Sequence, residues 1–499
     1  MIGQLLLFLS FLLTGTVLQF CFKKRAPLWF LLPGAFFWGA LNWALLTLIS
    51  ILVLQRFSLA LALLTTTIEV LAALVVIFRA KEIMLLKREW SALLGYYGFF
   101  LASAFTFSFI NVSRVSPDSL YLLKMAGQMA ANGFIGLTWT SPAAYGYFVS
   151  LVQAAAGSLG LDYLYTFQPL LSMNFVALIF LAIQHFLSGH LLRWQRVLFG
   201  LFSVTFLFSS TMMRFQFGYI HTNLPSAAFL FISLVALIQL ARSKEDCWLV
   251  QAMVGFTGFA ITRTENPLLL LLFLGLFLPI LGTTYRQRLG VIMPALAAVL
   301  LLQLITLGID TSLVNAEMST QLPTLIVAGM GFVYLLFMLF IVASRVRWIE
   351  EKVILNFHKI LVTAVLAAFI LALIINPVNI LTSIRSIFSA TMLSGGWDAV
   401  WLTVLTLLIF IVLYFAKELT KPPLVFLGLA LLCYYLAILL MSLYRAPYHP
   451  QWNDSANRMF TQLLPLVILW LTLLLEQITP KSSTGKLSEP YSVIAGTNT

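Results

Sequence analysis

The chain has 499 residues, of which 61% are hydrophobic and only 9% charged, and its formal net charge is +12. A soluble chain shows about 25% charged residues, so the polar surface needed to coat a water-soluble globule is missing here. The positive charge does not point to nucleic acid, because the basic residues sit in short clusters between long apolar runs, where membrane topology places them. Cys21, Cys247 and Cys433 lie in or beside apolar runs. They show no metal-ligand spacing and no disulfide framework.

The expected fold class is all-α: a polytopic transmembrane helical bundle of about 15 spans. The apolar runs are continuous rather than alternating, and lipid tolerates only helices or closed barrels. In chain order the expected spans cover residues 2–22, 27–54, 57–78, 90–112, 165–188, 195–213, 222–241, 248–262, 267–283, 289–309, 323–344, 357–378, 398–416, 422–443 and 459–476. The first run has no basic flank ahead of it and a second follows almost at once, so it reads as a membrane helix rather than a cleaved signal peptide. The chain divides into N-terminal helices (1–89), a larger membrane module (90–476) and a Ser-, Thr-, Gly- and Pro-rich tail (477–499) expected to be disordered.

Basic clusters set the orientation. Lys23, Lys24 and Arg25 follow the first span; Arg79, Lys81, Lys87 and Arg88 follow the third; Arg193 and Arg196 follow the fifth. Arg242 and Lys244, Arg286 and Arg288, Arg345, Arg347 and Lys352, and Lys417 and Lys421 follow later odd-numbered spans. Of 29 Lys and Arg, 21 fall on one side and 8 on the other. The positive-inside bias makes the crowded side cytoplasmic, with the N-terminus outside and the tail inside.

The longest outer connection, 111–165, is too apolar to float in water. Two amphipathic stretches in it, Pro117–Ala130 and Pro142–Leu159, are expected as helices along the membrane surface, with Ser116 and Ser141 as N-caps. The outer side then collects Asp118 and Tyr121; Arg214, Tyr219, His221 and Asn223; Arg263 and Glu265; Asp310 and Glu317; Arg385 and Asp398; and finally His449, Asp454 and Arg458. Ionisable groups at membrane depth are costly and point to function.

Asp118 stands just after a span at the start of a helix. A carboxylate there suits a general base, or simply a first-turn Asp complementing the helix dipole. Arg263, Arg214 and Arg458 are outer guanidiniums able to grip a phosphate with two prongs. The plainer reading of Arg263 is an ion pair with Glu265. His221 and His449 show no ligand spacing. The carboxylates Asp118, Asp310, Asp398 and Asp454 suit a hard divalent cation, Mg²⁺ or Mn²⁺, if they converge. Glu69 stands alone in the third span. Asn111 and Asn453 open outer glycosylation sequons.

In arrangement these residues resemble the GT-C superfamily of integral-membrane glycosyltransferases, which use polyprenyl-phosphate-linked sugars. A span leads into a long outer loop with an early acidic residue, Ser116-Pro-Asp118-Ser-Leu-Tyr121, and two helices around a turn near Gly136–Pro142. A later span opens with Tyr219-Ile-His-Thr-Asn-Leu-Pro225, another ends in Arg263-Thr-Glu265, and Asn453-Asp-Ser-Ala-Asn-Arg458 enters the last. Many relatives carry an Asp-Glu pair where Ser119 follows Asp118, and relatives often lack three spans present here. The resemblance, over about residues 90–476, implies that Asp118 is the catalytic base or acceptor-binding group.

The resulting expectation is an inverting transferase in a bacterial plasma membrane. It moves a sugar from a polyprenyl-phosphate donor to a lipid or glycan acceptor on the extracytoplasmic side. Asp118 is its base, Arg263, Arg214 and Arg458 hold the phosphate, and Tyr121, His221, Asn223, Glu265, His449 and Asp454 hold the substrates. Tyr121, Trp139, Tyr219 and Trp452 could stack on sugars, or form an interfacial aromatic belt. Rival readings are a glycan ligase or polymerase using a polyprenyl pyrophosphate, which favours a large late loop, and a transporter, which favours related halves and broken helices at mid-membrane.

Overall fold

The computed structural model describes residues 2–20, 26–79, 83–110, 112–132, 146–157, 164–263, 265–286, 346–442, 448–449 and 455–480, with a few isolated positions between 288 and 343. The expected spans 289–309 and 323–344, the sequons, and Asp310, Glu317, Trp139, Trp452 and Asp454 lie outside the described residues.

The described chain is helical, with no strand. Helices α1 (Ile2–Phe20), α2 (Leu28–Leu54), α3 (Leu59–Arg79) and α4 (Ile83–Phe109) lead to α5 (Pro117–Asn132) and α6 (Phe148–Gly157). Then follow α7 (Leu164–Phe186), α8 (Arg193–Ser209), α9 (Thr211–Gly218), α10 (Asn223–Ser243), α11 (Asp246–Thr262) and α12 (Asn266–Phe277). The last group is α13 (Phe357–Ile375), α14 (Pro377–Ser389), α15 (Val400–Phe415), α16 (Leu424–Met441) and α17 (Ser455–Ile478). Seven described helices are long and apolar enough to cross a membrane, or eight if the bent pair α8–α9 is one span. Four more apolar helices are shorter. Of the expected 15 spans, two lie outside the described residues, and seven or eight are met among the described ones.

Helix α10 is the axis of the bundle. It is apolar on every face, as a helix surrounded by others must be, and every residue from Asn223 to Leu240 is buried. It packs against α11 and α17. Helices α1 and α2 cross closely: a Cβ on Gly39 would lie 1.8 Å from the Phe11 carbonyl oxygen, and one on Gly15 as close to that of Ala35. Helix α2 also packs on α6 and α7, so the N-terminal helices share the core of the larger module. Trp38 Nε1 donates to Gln251 Oε1 at 2.7 Å and Gln251 Nε2 to Gln19 Oε1 at 2.7 Å, satisfying three buried polar side chains together. Glu69 likewise has a partner, accepting from Asn42 Nδ2 at 3.0 Å.

One sequence expectation changes here. Helix α5 buries Leu122, Met125, Ala126 and Met129 and exposes Leu120 and Tyr121, as its spacing predicts. Helix α6 does not lie on the surface. Its residues Phe148–Leu151 are buried, and it packs between α2 and α5. Its start is Phe148, and the expected cap Ser141 lies outside the described residues.

The bundle has two chemically distinct ends. At the C-terminal ends of α10 and α17, Arg242 grips Glu476 with two prongs, at 2.9 and 2.8 Å. At the same end Arg288 pairs with Asp246, and Arg286 with Glu350. The opposite end, about 30 Å away for helices of this length, carries Asn223 and Arg458 at the starts of the same two helices.

Candidate active site

At that second end the chain makes its one described β-bridge. Residues 112–116, leaving α4, run parallel to 218–220, leaving α9. The Arg114 amide donates to the Gly218 carbonyl at 2.8 Å, and the Ile220 amide returns to the Arg114 carbonyl at 3.2 Å. Gly218 permits this contact, since a Cβ there would sit 2.3 Å from the Val112 oxygen. The bridge sets the start of α5 beside Tyr219 and His221.

Ser119 fastens it. Its hydroxyl donates to the Ile220 carbonyl at 2.7 Å and accepts from the Ser116 amide at 3.2 Å, and the side chain is fully buried. Ser119 thus joins two elements, the start of α5 and the segment that leads into α10. Ser116, expected to cap α5, instead shares a 2.8 Å hydrogen bond with the Tyr219 hydroxyl.

Asp118 is the centre of the cluster. Its Oδ2 accepts from Arg458 Nη1 at 2.5 Å and from the Tyr219 hydroxyl at 3.1 Å. Arg458 Nη1 also donates to the Tyr219 oxygen at 3.2 Å. His221 Nε2 lies 3.8 Å from the same carboxylate oxygen, and its ring stacks on Tyr219 with centroids 5.1 Å apart. Burial, then the charges of Arg458 and Arg263, hold the His221 imidazole well below its ordinary pKa, so it is neutral. Burial raises the Tyr219 phenol, which stays a donor. About a quarter of the Asp118 side chain is exposed, whereas Tyr219 and His221 are buried, so the site opens on the carboxylate.

Arg458 is held in place from below. Asn457 accepts from Trp397 Nε1 at 2.6 Å and donates to the Gly395 carbonyl at 3.0 Å, fixing the start of α17 against the loop 395–398. The same loop anchors α9, since the Met212 amide donates to the Gly396 carbonyl at 2.6 Å. Asp398 Oδ2 accepts from the Thr211 amide at 2.8 Å and from its hydroxyl at 3.0 Å, which suits a carboxylate at a helix start.

Arg263 is a neighbour with its own partners. It is buried, its Nε donates to Glu265 Oε1 at 2.5 Å, and its Nη1 donates to Asn223 Oδ1. Here the plainer reading of the sequence, the Arg263–Glu265 pair, is what forms. The Asn223 amide nitrogen is buried without a protein partner, and so is Arg458 Nε. Arg214 stands apart, exposed, with its guanidinium on the Thr211 hydroxyl at 2.8 Å. Tyr121 is exposed one turn beyond Asp118, and His449 is exposed beside the buried Tyr448.

Of the four carboxylates expected to suit a divalent cation, Asp118 faces the Arg458 guanidinium and Asp398 serves α9, while Asp310 and Asp454 lie outside the described residues. Among the described residues no three His, Cys, Asp or Glu side chains gather.

An apolar groove follows on α17, its wall on that helix starting at Phe460, two residues after Arg458. It has a volume of about 540 Å³ and lies between α14, α15, α16 and α17, lined by Phe388, Trp401, Leu405, Leu431, Phe460 and Trp470 among others. A second apolar groove of about 300 Å³ lies on the other side of α15, against α8 and the later turns of α17.

Compared with known protein families, with characterised proteins and with solved structures, the chain matches none.

Proposed function

We propose that this membrane protein is an inverting glycosyltransferase that takes its sugar from a polyprenyl-phosphate donor at the end of the bundle opposite the basic clusters. The observation that carries the reading is one of placement. A partly exposed carboxylate meets a guanidinium with an unused nitrogen at the start of α17, the helix that lines a lipid-sized apolar groove from Phe460 onward. The donor tail lies in the groove along α17 and its phosphate meets Arg458. Arg263 is already committed to Glu265 and Asn223, and Arg214 points elsewhere, so Arg458 is the better phosphate ligand.

The reaction then balances with few groups. The acceptor oxygen attacks the anomeric carbon from the face opposite the phosphate, and its proton passes to Asp118. The bond between the anomeric carbon and the phosphate oxygen breaks, and the phosphate leaves with the electron pair, its charge met by Arg458. A phosphate departs readily, so one carboxylate suffices, unlike the paired acids of glycosidases. The Tyr219 hydroxyl holds the carboxylate, with neutral His221 stacked behind it, without adding charge.

Mass spectrometry of co-purifying lipids tests the donor class, and transfer assays on purified protein in nanodiscs test the roles. Asp118→Asn should lose at least about 10²-fold in turnover, the low end for general-base catalysis. Arg458→Ala should lose donor binding, with Arg458→Lys restoring part of it. Near-normal transfer by Asp118→Asn, in a protein that still folds, would remove the base from this mechanism.

A further inference from the structure

The Asp118–Arg458 contact is itself an obstacle to catalysis. A carboxylate that accepts from a guanidinium is a weaker base, because the positive charge favours its ionised form. Its Oδ2 is taken twice over, by Arg458 Nη1 and by the Tyr219 hydroxyl. Nothing of this kind blocks the other side of Arg458. Nε has no protein partner although it is buried. The edge formed by Nε and Nη2 is the one that grips a phosphate with two parallel hydrogen bonds. Asn223, fully buried at the start of α10, has an amide nitrogen without a protein partner.

We infer that the pair is the resting, closed form of the site, and that the donor's phosphate opens it by drawing Arg458 away from Asp118. This inference rests on the transferase reading above. A single arginine serves two anions in turn. Empty, the site keeps Asp118 neutralised and the buried guanidinium paired, which avoids an isolated charge at membrane depth. When the phosphate binds, the guanidinium swings its charge to the larger anion and the carboxylate is released as a base. Donor therefore binds before acceptor, and the base gains its strength only when there is a sugar to transfer. The same logic limits water attack, since an unloaded site holds no free base.

The contact has a thermodynamic signature: Asp118 and the phosphate compete for Arg458. Binding of undecaprenyl phosphate, without sugar, would be measured on purified parent protein, Asp118→Asn and Asp118→Ser in nanodiscs, each checked by thermal unfolding. Two substitutions are used so that a folding defect in one leaves the other. Loss of the competing carboxylate should tighten binding about tenfold, and adding Arg458→Ala to either should abolish the gain. Equal or weaker binding by the folded variants, with transfer still lost, overturns the inference and leaves the transferase reading standing. If neither the parent nor any variant binds undecaprenyl phosphate, the transferase reading fails and the inference with it.

Discussion

Asp118, Arg458, Tyr219 and His221 form one electrostatic unit in which only two members are charged. The neighbouring Arg263–Glu265 pair is more deeply buried and has little freedom left. Removing one partner of such a pair leaves the other charged, buried and alone, which costs about 3–5 kcal/mol. Arg263→Ala should therefore lower the unfolding temperature far more than it changes donor affinity. If the variant unfolds like the parent and binds the donor poorly, Arg263 belongs to the phosphate site instead. His221 gives a second check through pH. Its folded pKa is well below the ordinary value, so below about pH 6.5 the unfolded chain takes up a proton that the folded chain refuses. Stability then falls with falling pH, by at most about 1.4 kcal/mol per unit. His221→Gln should flatten the pH dependence of unfolding between pH 7 and 5. An acid slope identical to that of the parent would show that other groups control it.

At the level of elements, the site depends on a short parallel bridge and a tight loop rather than on long helices. Gly218 sits where α9 meets the chain leaving α4, and Gly218→Ala would drive a methyl group into the Val112 carbonyl. The bridge must open by the width of that clash, moving Tyr219 away from Asp118. Transfer should fall by an order of magnitude or more while the unfolding temperature moves little, since the bridge contributes only two hydrogen bonds of about 1 kcal/mol each. Normal transfer would mean that the bridge does not set the geometry. The helices themselves were legible in the sequence, because a continuous apolar run of this length has no other stable form in lipid. Which helices lie inside was not. Helix α6 reads as amphipathic yet is enclosed, since periodicity records composition and says nothing of neighbours. The cluster was half legible. Asp118, His221 and Arg458 stand out as polar residues on one side of the spans, but 340 residues separate Asp118 from Arg458 and no local pattern encodes their contact. Ser119 looked like a missing acid, and its role as a clasp needs the position of Ile220.

Across the whole molecule, the paired charges at one end and the Asp118 cluster at the other are joined by α10 and α17, which run the full distance between them. Helix α17 carries Arg458 at its start, lines the large groove with Phe460, Leu463, Val467 and Trp470, and lines the second groove from Ile468 to Ile478. Helix α15 lies over both grooves and packs only lightly on its neighbours. A single helix thus carries Arg458 at its start and then borders two apolar grooves, one on each side of α15, over about 27 Å of its length at 1.5 Å per residue. That span is close to the roughly 30 Å hydrocarbon thickness of a bilayer. A long isoprenoid chain matches this space better than a short one, so chain length should matter to affinity and not to chemistry. Val404 is buried on α15 and lines the large groove. Val404→Trp fills the groove without touching Arg458 or Asp118. It should raise KM for a long-tailed donor by about tenfold, or roughly 1.4 kcal/mol, and leave kcat unchanged. A donor carrying a short isoprenoid tail, which does not reach Val404, should show the same KM with parent and variant. The comparison is made on protein whose unfolding temperature matches the parent, because a tryptophan in a packed groove can also strain the bundle. Equal effects on long and short tails would show that the groove does not hold the tail.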